Sequence, residues 1–426
     1  MRKFLLLILL SGFYLLPFLT TAQMITKQIV IANGGEYSNP NDFVTINVFD
    51  PESQLTTNLA TIFTQSVQGL FVNGNFAYVA AQDSLVKINL ESGEKVAAIG
   101  LSGVNKFGVY QDKLIVTRQY PVTSGFVQIR NLADLSLVTT FDEISDEAYD
   151  VIVVADSAYI SVTGGWAATE GKLAVLDMKN EVFVREINFG TAAAGISNVF
   201  KDGNDLIFVC KTPYMGTSGA ILKYTPGNIT GIISTFQHTI GKAAGIINGQ
   251  LYLMVDGNIG SINLAGMEIS NPSLVPDNFT GFDITACALD VVNERIYASF
   301  SYWIAPDGMG KIFDLNGNET GQYDVGISSE DLTINYQDVT RLPDVADATQ
   351  QVYAYPNPCR DELFVLPPFD KASQISLTDL TGKKILTINS TADFAPSVDV
   401  SSLKPGIYFL MIKQDDQHFT SKFIKQ

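Results

Sequence analysis

The sequence predicts an all-β chain, a seven-bladed β-propeller followed by a small Ig-like β-sandwich. Three observations carry this. No long stretch shows the 3.6-residue helical period, and short runs of Val, Ile, Tyr and Phe are punctuated by Gly, Asn and Asp. One strand type recurs seven times, anchored at Val30, Tyr78, Ile115, Tyr159, Phe208, Tyr252 and Tyr297, a mean period of about 44.5 residues. Past residue 352 that period gives way to six or seven short strands over roughly seventy residues, the density of a small sandwich.

The first element is an address. Met1-Arg2-Lys3 precedes an apolar run from Phe4 to Leu19, and Thr20-Thr21-Ala22 closes it. A basic start, an apolar middle and small residues at the end read as a signal peptide over residues 1–22, cleaved after Ala22. No other segment is long and apolar enough to span a bilayer, so no transmembrane span is expected after signal removal.

The propeller is expected over residues 23–341. Each anchor strand is followed by a strand ending in a turn, such as Leu85–Leu90 before Glu91-Ser92-Gly93, and then by a third strand such as Lys95–Ile99. A shorter strand precedes each anchor, as in Gly69–Val72 and Lys106–Tyr110. Four strands per unit and seven units make the ring. The first unit lacks a strand before Ile29, while an extra one, residues 331–337, follows the last. A propeller must hide its edges, so strand 331–337 is expected to close the ring within blade one. Ala77-Tyr78-Val79-Ala80, with Val86-Lys87-Ile88-Asn89-Leu90-Glu91-Ser92-Gly93, resembles the YVTN-type repeat of bacterial secreted and surface-layer propellers. That resemblance implies the fold and says little about function.

Residues 342–351 are polar and acidic and read as a linker. In the module 352–426, Tyr355-Pro356-Asn357-Pro358, Asp379-Leu380-Thr381-Gly382-Lys383, Leu403-Lys404-Pro405-Gly406-Ile407-Tyr408 and Lys422-Phe423-Ile424-Lys425 stand in order. They resemble the type A C-terminal sorting domain of the type IX secretion system. The sorting signal implied comprises Tyr355, Pro356, Asn357, Pro358, Gly382, Gly406, Tyr408, Lys422 and Lys425. The resemblance also implies a Bacteroidota source and the type IX machinery as partner. Export would run through the periplasm to the outer-membrane surface or the medium.

Composition narrows the chemistry. The net charge is −17, and removal of Arg2 and Lys3 makes it −19. From Tyr353 onward acidic and basic residues balance, so the excess lies on the propeller and linker. Such a chain repels phosphate backbones, and no nucleic-acid partner is expected. Two His in 426 residues starve the usual acid–base and zinc chemistries, and no nucleophile elbow, P-loop or dinucleotide fingerprint is present. Composition therefore leans against an enzyme. Cys210 and Cys287 sit in strand-like runs and read as buried free thiols, while Cys359 is left open to a bridge.

In a propeller the loops joining second and third strands share one face. Here the long ones carry aromatics: Tyr37, Tyr120, Trp166, Tyr214, Tyr302 and Trp303. Aromatics in Gly-rich loops suit a glycan or peptide surface. The competing reading is that long loops fold over and bury their own rings. No catalytic residue is singled out and no cofactor is expected. One exception is calcium, for which Asp142, Glu143, Asp146, Glu147 and Asp150 could supply oxygens. Asp314-x-Asn316-x-Asn318 reads as a hairpin turn instead. The expected function is binding of a glycan, peptide or surface partner through this loop face. The alternatives are a carboxylate-dependent polysaccharide hydrolase or lyase and a structural surface-layer component.

Overall fold

A computed structural model describes residues 24–276, 281–338, 353–366, 373–379, 383–390, 397–414 and 417–426. The expected signal peptide, the linker 342–351 and Gly382 lie outside the described residues. The chain divides into two compact units, one spanning Met24–Gln337 and the other containing the C-terminal residues.

The first unit holds seven four-stranded antiparallel sheets. Six run in chain order from innermost to outermost strand: 67–100, 104–141, 148–188, 196–236, 240–275 and 283–324, here blades 2 to 7. Blade 1 orders Ser329–Asp338, Met24–Asn33, Val44–Asp50 and Leu55–Ile62, so the two ends of the ring meet inside one sheet. Side chains lock that seam. Thr26 Oγ1 lies 2.8 and 2.7 Å from the two carboxylate oxygens of Asp290 in blade 7. Gly34 N donates to Ser328 O at 2.7 Å, and Gly326 N to Asn33 Oδ1 at 3.1 Å.

The recurrent anchors explain why the sheets stack. Each second strand is buried on both faces, because a blade is covered by a neighbour on either side. Tyr78 packs with Val104, Phe107 and Leu114 of blade 3, Tyr159 with Val199, Phe208 and Tyr224 of blade 5, and Tyr252 with Ile284, Leu289 and Phe300 of blade 7. Ile29, Ile31 and Phe49 of blade 1 meet Tyr297 and Tyr323 of blade 7. Each buried ring or branched chain contributes roughly 1.5–3 kcal/mol.

The second unit has two sheets over one core. Tyr353–Tyr355, Glu362–Leu366 and Ser397–Asp399 form the first. Lys384–Ser390, Ser373–Asp379, Gly406–Gln414 and Gln417–Lys425 form the second. Leu363, Val365, Leu377, Leu410, Ile412 and Phe423 fill the space between. The sorting-signal residues organise its end. Asn357 Oδ1 accepts from Ile424 N at 2.9 Å, and its Nδ2 donates to Lys422 O at 3.1 Å. Tyr408 stacks on Phe423 and donates its hydroxyl to Lys404 O at 2.9 Å. Lys425 is buried beside Cys359, whereas Tyr355 and Lys422 are exposed. Cys210, Cys287 and Cys359 are all free and buried.

Candidate functional site

Two tight turns divide the loop face. Blade 2 turns at Gln82-Asp83 and blade 6 at Asp256-Gly257, where φ is +49° and +83° and the strands need no longer connection. The long loops therefore fall into two groups, on blades 7 and 1 and on blades 3, 4 and 5.

In the first group Tyr302 and Trp303 stack at 3.9 Å with 25° between planes. Tyr37 N donates to Trp303 O at 2.9 Å, which ties the two loops together. Tyr37 is 83% exposed and Trp303 50%, while Tyr302 is half-buried. A polar groove of about 260 Å³ adjoins this loop, lined by Gln54, Thr56, Gly308, Gln322 and Asp324 among others. In the second group Trp166 and Tyr214 meet edge to face at 4.6 Å. Tyr214 N donates to Ala167 O at 3.1 Å, and Tyr120 N to Glu147 Oε2 at 3.0 Å. Gly165, at φ +69°, lets the Trp166 loop lie against Glu147, since a Cβ there would stand 2.7 Å from Oε2. Tyr120, Trp166 and Tyr214 are exposed.

A second set of residues surrounds the central channel. The innermost strand of each of blades 2 to 7 carries a β-bulge near its loop-side end. A bulge frees a main-chain N–H and re-aims a side chain. In blades 3 and 4 Thr117 Oγ1 and Ser161 Oγ of the same blade accept from Lys106 N and Asp150 N, whereas in blades 2, 5 and 6 a main-chain N–H at the bulge is taken up by the preceding blade. Asp331 Oδ2 accepts from Leu70 N at 3.1 Å, Asp150 Oδ2 from Val199 N at 3.1 Å and Asn198 Oδ1 from Ala243 N at 3.3 Å. At the same level stand Lys106, Tyr149 and Lys242, with Lys211 at the start of the blade 5 loop.

Lys106 Nζ reaches Asp331 Oδ2 at 2.6 Å. Burial pulls the Lys106 pKa down, but Asp331, Tyr149 and Asp150 outweigh it and hold the group above its ordinary range. Lys106 and Lys211 both approach the Tyr149 ring, 5.6 and 5.3 Å from its centroid. Lys242 Nζ donates to Thr285 O at 2.9 Å and Glu330 O at 2.7 Å. Burial raises the Asp150 carboxyl above its ordinary value, and bonds from Val199 and Val151 and the charge of Lys106 only partly offset this.

The acidic segment is not one loop cluster. Asp150 belongs to the strand Ala148–Val154 and is turned inward by the bulge, while Glu147 serves the Tyr120 loop. Among the described residues no group of three or more His, Cys, Asp or Glu side chains is arranged to hold a metal ion. His238 Nδ1 is bonded to Asp256 Oδ2 at 2.6 Å and not to Cys210, whose thiol burial pushes up to about 12. Asp314 accepts from Asn316 N and Asn318 N, both at 2.9 Å, as a hairpin turn requires.

The channel ring escaped the sequence reading. Its trace is a shared opening in the innermost strands: Val104-Asn105-Lys106, Ala148-Tyr149-Asp150, Ile196-Ser197-Asn198 and Ile240-Gly241-Lys242. An apolar residue is followed two positions later by a polar one, at the point where a buried strand should stay apolar.

Residues 353–426 match the family described as the secretion system C-terminal sorting domain. No curated protein matches the chain by sequence. Among solved structures it is similar to a hypothetical selenium-binding protein from Sulfolobus tokodaii, with a TM-score of 0.53 at 9% identity over 74% of this chain and 91% of that one. It is also similar to hydrazine synthase of Kuenenia stuttgartiensis, with a TM-score of 0.52 at 11% identity over 65% of this chain and 96% of that one. A functionally unknown protein from Desulfotomaculum acetoxidans gives 0.51 at 15% identity over 72% and 99%. At such identities the likeness is one of fold. No helix among the described residues is long and apolar enough to cross a membrane. The chain is a β-propeller that carries a type IX sorting domain at its C-terminus, handled by that secretion machinery and delivered to the cell surface.

Proposed function

We propose that the propeller is a surface binding protein, not an enzyme, that captures a glycan on its loop face. One observation carries the reading: Tyr37, Tyr120, Trp166, Tyr214 and Trp303 stand exposed on the second-to-third-strand loops, and both Trp of the chain are among them. Exposed aromatic planes beside polar groups are the arrangement that stacks on a sugar ring and hydrogen-bonds its hydroxyls. The groove between the outermost strands of blades 7 and 1, which Gly308 at the end of the Trp303 loop also lines, supplies amide and carboxylate groups for such bonds. Carboxylates near the rings hold main-chain donors, Asp42 taking Glu36 N at 2.7 Å and Glu147 taking Tyr120 N at 3.0 Å, which supports binding over hydrolysis.

Glycan and peptide arrays on the intact chain test this. A glycan signal that falls about tenfold in Trp166→Ala or Trp303→Ala is expected. If neither substitution changes any detected binding, the site assignment fails. A signal confined to peptides would replace the glycan.

A further inference from the structure

Most polar side chains of the channel are consumed by the ring itself. Asp331, Asp150 and Asn198 satisfy N–H groups freed by bulges in the following blades. Lys106 is paired with Asp331. Two lysines are not used up in this way. Lys242 gives two of its protons to main-chain carbonyls and meets no carboxylate among the described residues. Lys211 has no hydrogen-bond acceptor and no ion pair among the described residues, although it is half-buried and its ammonium stands over the Tyr149 ring.

A half-buried ammonium with nothing to donate to is costly, and placing it among other ammoniums adds to the cost. Burial, and then repulsion from Lys242 and Lys106, lower the Lys211 pKa, with Glu147 opposing. The chain has only 27 basic residues and a net charge of −17, so two lysines over one tyrosine, with Lys242 near enough to repel Lys211, are not a surplus of positive charge. An oxyanion relieves all these terms together. It accepts from Lys211, takes the third proton of Lys242 and compensates both charges.

We propose that Lys211 and Lys242 form a binding site for one oxyanion, a carboxylate or sulfate group, at the loop-side end of the central channel, with the Tyr149 ring as its wall. The position follows from the chain. Lys211 opens the blade 5 loop, and Lys242 is the third residue of the strand Ile240–Ile247 entering from that side. The proposal is independent of the aromatic loops.

The test uses the intact secreted chain at low ionic strength, with sodium sulfate, galacturonate and neutral galactose as probes. Sulfate or galacturonate should bind by titration calorimetry and raise Tm, and galactose should do neither at this site. Lys211→Gln should weaken anion affinity by at least about tenfold. Lys201→Gln, an exposed lysine on the same blade, should leave it unchanged, as should Trp303→Ala. Limiting amine acylation near neutral pH, read by mass spectrometry, should modify Lys211 ahead of the surface lysines and be suppressed by the bound anion. Binding of galacturonate but not sulfate would identify an organic acid as ligand, and binding of both would identify the oxyanion alone as the determinant. Absence of binding by either anion, or equal affinity in Lys211→Gln, overturns the proposal.

Discussion

Lys106 Nζ lies 2.6 Å from Asp331 Oδ2, and the pair joins the innermost strands of blades 3 and 1 past the innermost strand of blade 2. Gly69 makes room for it. A Cβ on Gly69 would stand 2.2 Å from Asn105 O and 3.1 Å from Lys106 Cδ. The same Asp331 carboxylate also holds Leu70 N, so three blades meet at one side chain.

Asp331→Ala should therefore cost about 2–4 kcal/mol, because it leaves an unpaired lysine and an orphaned N–H. Gly69→Ala should destabilise through backbone displacement, with the pair still present. Denaturant unfolding of both variants checks this, and an unfolding midpoint in either that equals the native one would contradict it.

Asp150 carries a pH signature. Burial raises its folded-state pKa above the ordinary 3.8, so its ionisation costs stability. That cost is absent below the unfolded value and grows as pH rises through the folded one. Asp150→Asn keeps an acceptor for Val199 N without the charge, and should melt higher than the native chain at neutral pH. The gap should close as pH falls towards 4. A gap that stays constant between pH 7 and 4 would contradict the assignment.

The thiols should be inert. Burial pushes Cys210 and Cys287 up to about 12 and raises Cys359 as well. A chromogenic disulfide reagent at pH 8 should find no thiol in the folded chain and three in denaturant. Reductant should not shift Tm.

Asn357 clamps the terminal strand through both ends of its amide. Asn357→Ala should lower the stability of the C-terminal unit by about 1–3 kcal/mol. Less protein should then reach the cell surface and more should remain in the periplasm, which fractionation and immunoblotting would measure.

What could be read from the sequence was local. Tyr78, Tyr159 and Tyr252 recur because each fills the layer toward the following blade, and a period of repeated burial is visible in one dimension; in blade 5 Ile207 takes that place and Phe208 faces blade 4. Loop length likewise marked Trp166 and Trp303, and the two-residue turns at Gln82-Asp83 and Asp256-Gly257 show where the aromatic face is interrupted. The channel ring is different in kind. Its members come from separate blades, and nothing near Lys106 in the chain announces Asp331, 225 residues away. A bulge shifts side-chain direction without changing composition, so Asp150 looked like one more loop carboxylate.

The strand that completes blade 1, Ser329–Asp338, precedes the sorting domain in the chain. Synthesis therefore supplies the last piece of the ring before it supplies the address. A chain interrupted anywhere short of residue 329 exposes the open edge of Met24–Asn33, and it also lacks the signal by which it would be displayed. Every chain bearing that signal already contains all it needs to close. The order of the two elements acts as proofreading for completeness, carried out without any dedicated part.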